Sequence, residues 1–67
     1  MKTSKELGTL VLNICKEKNI SDTELAEYFG CEEEKIQDFL YGEAFFSYAN
    51  FVKLSKLLDI SIADLLG

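Results

Sequence analysis

Residues 20–42 read ISDTELAEYFGCEEEKIQDFLYG, and the fold turns on how this stretch is parsed. Ser21 has the side chain of a helix N-cap, whose hydroxyl accepts a backbone N–H from the first turn. Glu24, three residues later, can reach back to complete a capping box, and Ile20 can staple onto Leu25. Leu25, Ala26 and Phe29 recur at helical spacing, and Ile36, Phe39 and Leu40 do so again. Gly30 and Gly42 tolerate the left-handed conformation that closes a helix. Two short helices follow, near residues 22–29 and 32–41, with only Gly-Cys-Glu between them. So short a link drives the second helix across the first at a steep angle, which is the geometry of a helix-turn-helix.

The same entry signal recurs further along. FSYANF places Ser47 between Phe46 and Phe51, and ISIADL places Ser61 and Asp64 between Ile60 and Leu65. Three such caps mark three helix starts. Asn19 offers a further left-handed stop. The spacing predicts five helices near 4–18, 22–29, 32–41, 48–58 and 62–66, packed as one all-α domain over residues 1–67. Helix one offers Leu7, Leu10, Val11, Ile14 and Lys18 to the core, and helix four offers Phe51, Val52, Leu54, Leu57 and Leu58. A chain of this length hides roughly 60% of its unfolded surface on folding and has room for a single core.

Composition narrows the function. There is no histidine, which removes the commonest general base and metal ligand. Cys15 and Cys31 fit no metal or redox spacing and read as buried or half-buried thiols. No catalytic residue, metal site, cofactor or small-molecule substrate is expected, and five helices of this size leave little space for a substrate pocket. No apolar run approaches the roughly 18 residues needed to cross a bilayer, and no secretory signal pattern begins the chain. The expectation is a cytoplasmic protein that does not engage a membrane.

The net charge of -5 is unevenly spread. Residues 21–43 hold eight acids against Lys35 alone, giving -7 there and +2 elsewhere. All seven basic residues are lysine. Nucleic-acid binders usually carry the opposite balance.

The chain resembles the Cro and phage-repressor (Xre-type) helix-turn-helix family from about Leu7 to Leu66. ISDTELAEYFG is similar to that family's LSQEELAEKLG, KIQDFLYG to its TISRIERG, and FVKLSKLLDISIADLL to its LLKLAKALGVSLDELL, with no gap. The resemblance implies a compact five-helix, lambda-repressor-like domain whose third helix is the usual DNA-reading element. It also aligns Leu10 and Leu40 with an Arg–Glu ion pair that family members often carry. Exchanging only one partner would strand a buried charge at about 3–5 kcal/mol, whereas exchanging both for leucine is tolerable.

By the same resemblance, Glu32, Glu33, Glu34, Lys35, Gln37 and Asp38 occupy the face that approaches the major groove. Only Gln37 is an ordinary base reader. A carboxylate held about 7 Å from a phosphate costs about 0.6 kcal/mol even at the dielectric of water, and several phosphates line a groove. The family's phosphate-touching Gln is Asp22 here, and its basic loop reads EAFF, residues 43–46. An acidic first turn can also be a solvated face favoured by the helix dipole, but that accounts poorly for Asp38 and Glu43.

Leu12 lies roughly 140° from Leu7 at helical spacing and is expected to face out, with Tyr41, Phe45 and Tyr48 completing a hydrophobic partner patch. Core packing is the alternative for Phe45, and for Phe46 the staple favours it. The expected function is regulation through protein–protein contact, as an antirepressor, an antitoxin-like module or a dimer partner. The alternative is a sequence-specific DNA-binding repressor of the Cro/Xre type.

Overall fold

Helix boundaries follow from which residues can satisfy the free amides and carbonyls at each end. In the computed structural model, which describes Lys2 to Gly67, helix α1 spans Ser4–Lys18, α2 Asp22–Phe29, α3 Glu33–Leu40, α4 Tyr48–Leu58 and α5 Ile62–Leu66. Among the described residues there is no strand. The all-α, five-helix expectation holds.

Ser21, Ser47 and Ser61 each accept a hydrogen bond from the backbone amide three residues on, at Glu24, Asn50 and Asp64. Ser21 and Glu24 form the full reciprocal box. A second full box, Thr3 with Glu6, opens α1. Its signal, Thr-Ser-Lys-Glu, stands in the sequence at residues 3–6 and has the same spacing as the box at Ser21.

Three of the four connections are built alike. Asn19, Gly30 and Asp59 take left-handed conformations with φ of 58°, 68° and 56°. The next residue in each case, Ile20, Cys31 or Ile60, returns its amide to a carbonyl five residues back, at Cys15, Ala26 and Ser55. The residue after that is the next N-cap, Ser21, Glu32 or Ser61. Sequence reasoning found Asn19 and Gly30 in this role and missed Asp59. Aspartate is second only to Gly and Asn in tolerating this backbone, and its position before Ile-Ser matched Asn19.

The core is formed by Leu7, Val11 and Cys15 of α1, Leu25 and Ala26 of α2, Ile36, Phe39 and Leu40 of α3, Phe51, Leu54 and Leu58 of α4, and Leu65 of α5. Leu10, Ile14, Phe29 and Leu57 are half-buried at its edge, Val52 is half-buried without joining it, and Lys18 is exposed. Phe46 bridges the halves of the molecule, stacked on Phe39 with ring centroids 4.1 Å apart and tilted against Phe29 at 5.0 Å.

Gly8 decides how α1 meets α3. A Cβ there would overlap the Leu40 carbonyl oxygen and lie 2.7 Å from that of Phe39. The end of α3 therefore rests directly on the backbone of α1. Ser4 Oγ donates to the Gly42 carbonyl at 3.2 Å and fixes the chain as it leaves α3. At the other pole, the Lys2 amide donates to the Leu66 carbonyl at 3.1 Å and Lys2 Nζ to that of Asp64 at 2.9 Å, tying the start of the chain to α5.

Candidate functional site

Helix α3 has two faces with different chemistry. At about 100° per residue, Ile36, Phe39 and Leu40 occupy an arc of about 100°, and Glu34, Gln37, Asp38 and Tyr41 occupy the opposite one. The first group is buried. Of the second, Glu34, Gln37 and Tyr41 are exposed and Asp38 is half-buried. Glu33 and Lys35 flank this outward stripe and are also exposed.

Two acids differ in setting from the expectation that all line one first turn. Glu32 precedes the helix as its N-cap, with extended backbone and no side-chain capping bond. Glu33 accepts a hydrogen bond from Thr23 Oγ1 at 3.1 Å, so its carboxylate braces α2 against α3. The helix itself is a residue shorter at each end than expected, with Tyr41 as its C-cap.

The chain after α3 folds back on it. The Glu43 amide donates to the Asp38 carbonyl at 2.8 Å, and Gly42, at φ 80°, makes the reversal. Phe45 then shares a groove with Cys31, Lys35, Asp38, Phe46 and Asn50. Tyr41, Phe45 and Tyr48 are the most exposed large apolar side chains, at 65, 61 and 66%. Tyr28, exposed to 44%, is a fourth that the sequence reading passed over. Its hydroxyl donates to the Lys53 carbonyl at 3.3 Å, and its ring meets Phe29 edge-on, so it also joins α2 to α4.

Leu12 corrects an expectation. It is half-buried and packs against the core. The buried face of α1 is centred between Leu7 and Cys15 and includes Gly8, which shifts it toward Leu12. Measured from that centre Leu12 is only about 90° away, at the flank of the stripe. The hydrophobic patch therefore does not extend to it.

Cys15 is buried, and burial, followed by the charge of Asp22, raises the pKa of its thiol and keeps it protonated. Cys31 is half-buried. Among the described residues no group of three or more His, Cys, Asp or Glu is placed to hold a metal ion, and no helix is long and apolar enough to cross a membrane.

The profile of the Cro/C1-type HTH DNA-binding domain matches residues 11–67, which take in the whole of α2, the turn and α3. The chain belongs to that family. As a Cro/C1-type domain it stands among helix-turn-helix regulators of transcription. The crystal structure of the restriction-modification controller protein C.AhdI from Aeromonas hydrophila has the same fold. It superposes with a TM-score of 0.81 over 92% of this chain and 94% of that one, at 24% identity. No curated protein sequence matches. The outward stripe of α3 and its flanks carry Glu33, Glu34 and Asp38 against Lys35.

Proposed function

We propose that this Cro/C1-type protein regulates through protein–protein contacts in the cytoplasm, as an antirepressor, an antitoxin-like module or a dimer partner, and is not an enzyme. The charge of the α2–α3 segment carries the reading: -7 over residues 21–43, in a chain without arginine. Affinity for duplex DNA rests largely on cationic contacts to phosphate, each releasing counterions. Here Asp22 opens α2, Glu32 stands just before α3, Glu34 lies exposed in its first turn and Glu43 follows it. Each repels the backbone it would have to approach. The bond from Thr23 draws Glu33 toward α2 but leaves its charge at the same rim.

The second reading is a sequence-specific repressor, favoured by the DNA-binding family match and by exposed Gln37 on the outward stripe. Anisotropy of a labelled, pooled random duplex at low salt separates the two. A DNA-binding relative associates non-specifically with a dissociation constant of roughly 10⁻⁴ to 10⁻⁶ M. The protein-contact reading expects binding weaker than that range, and a Glu32→Lys, Glu34→Lys variant that binds measurably more tightly. Micromolar binding by the unaltered chain, with no gain in the variant, would overturn it.

A further inference from the structure

We propose that Tyr41, Phe45 and Tyr48 form a docking surface for an arginine-rich segment of a protein partner. The inference rests on the protein-contact reading and names the chemistry of the partner. Three large rings are exposed on consecutive structural steps: the C-cap of α3, the loop, and the first residue of α4. The backbone sets two of them around Asp38. Tyr41 lies one turn beyond Asp38 on the outward stripe of α3. The Asp38 carbonyl takes the Glu43 amide, which lays the loop along the end of the helix. Phe45, Asp38 and Ser47, the neighbour of Tyr48, line one groove.

Buried aromatics account for the rest of this region, so these three are not spare core residues. Phe46 already stacks on Phe39, and Phe51 is buried. Glu34 and Asp38 on α3 and Glu43 in the loop stand beside these positions, and the nearby cations are Lys35 on α3 and exposed Lys5 of α1, whose backbone lies against Gly42.

The charge selects among occupants. A second copy meeting this face about a two-fold axis would set the -7 segment against itself, since such an interface joins the same patch on both subunits. Duplex DNA meets the same repulsion. A basic protein segment is attracted. Rings beside carboxylates prefer arginine to lysine, because guanidinium stacks flat on an aromatic face while pairing in plane with a carboxylate.

Anisotropy titrations with fluorescein-labelled nona-arginine and nona-lysine peptides at low salt test the surface. The expected result is binding of both, with arginine preferred by about tenfold over lysine at equal charge. In a Tyr41→Leu, Phe45→Leu variant, which keeps apolar bulk at two exposed positions, the preference should fall to near unity while lysine binding is unchanged. Circular dichroism checks that helicity is retained. Equal affinity for the two peptides, an unaltered preference in the variant, or no binding of either peptide would each overturn the proposal. If neither peptide nor pooled duplex binds, the arginine-rich partner is excluded and the protein-contact reading stands. Micromolar duplex binding would remove that reading itself.

Discussion

Single residues set the tolerances of this fold, and Gly8 is the tightest. A glycine in mid-helix ordinarily costs about 1 kcal/mol against alanine, so replacing it should stabilise an isolated α1. Here the added Cβ would press on the Leu40 and Phe39 carbonyl oxygens, which belong to backbone and cannot swing aside. Overpacking of this kind costs about 1–3 kcal/mol, and separating α1 from α3 to relieve it would loosen the core around Leu7 and Leu40. Gly8→Ala is expected to lose about 1 kcal/mol net, lowering the thermal midpoint by about 4–8 °C for a domain of this size. An unchanged or raised midpoint would show that α1 and α3 do not meet this closely. Glu6 makes a pH prediction. The hydrogen bond from the Thr3 amide, then that with the Thr3 side chain, holds its carboxyl below the ordinary value of 4.5. A depressed folded-state pKa means stability that is present above 4.5 and lost as pH falls through the folded value. The gap in thermal midpoint between the parent and Glu6→Gln should therefore be open at neutral pH and close in acid. A gap that persists under acid conditions would assign the effect to packing.

Elements were legible where their ends carry side-chain chemistry. The starts of α2, α4 and α5 were fixed by Ser21, Ser47 and Ser61, because a cap is a local event between residues three apart. The face of α1 was less legible, since Gly8 has no side chain to enter a hydrophobic pattern and is buried only because α3 lies on it. That single omission placed Leu12 outside. The Thr23 to Glu33 bond was likewise invisible, because it depends on the crossing of α2 and α3 and not on the spacing within either. Exposure of Tyr41 and Tyr48 could be anticipated, since neither falls on the apolar arc of the helix it adjoins, whereas Phe45 lies in the loop, where no helical period decides between core and surface. Tyr28 could not, as it neighbours the half-buried Phe29 and its hydroxyl bond leads to α4. The shared connection of a left-handed residue, an apolar residue and an N-cap makes α3 the exception among its kind: Glu32 sits where Ser21 and Ser61 sit, yet caps nothing. Its backbone, at φ -78° and ψ 150°, already suits a capping side chain. Glu32→Ser should therefore stabilise the protein by about 0.5–1 kcal/mol, read as a rise in urea midpoint at unchanged slope. Loss of stability in that variant would mean the carboxylate contributes through the helix dipole more than a cap would.

At the scale of the whole molecule the charge is segregated, -7 over residues 21–43 and +2 over the rest. Like charges gathered in one folded segment raise the energy of the folded state, because unfolding spreads them apart. The acids of α2 and α3 are exposed, apart from half-buried Asp22 and Asp38, so mobile ions reach them readily. The Debye length shrinks from about 30 Å at 0.01 M to about 8 Å at 0.15 M, which leaves close neighbours such as Glu32, Glu33 and Glu34 partly coupled and removes the repulsion across the segment. Sodium chloride should therefore raise the thermal midpoint over this range, where specific salt effects on apolar surface are still small. The same range of salt should weaken any basic partner, since attraction and self-repulsion draw on one field. Glu32→Lys with Glu34→Lys should flatten the salt dependence of the midpoint while helicity is retained. If the parent's midpoint instead falls as salt is added, attractive pairs outweigh the repulsion within residues 21–43. The segregated charge would then be a feature of folding stability, and no longer a field held in reserve for a partner.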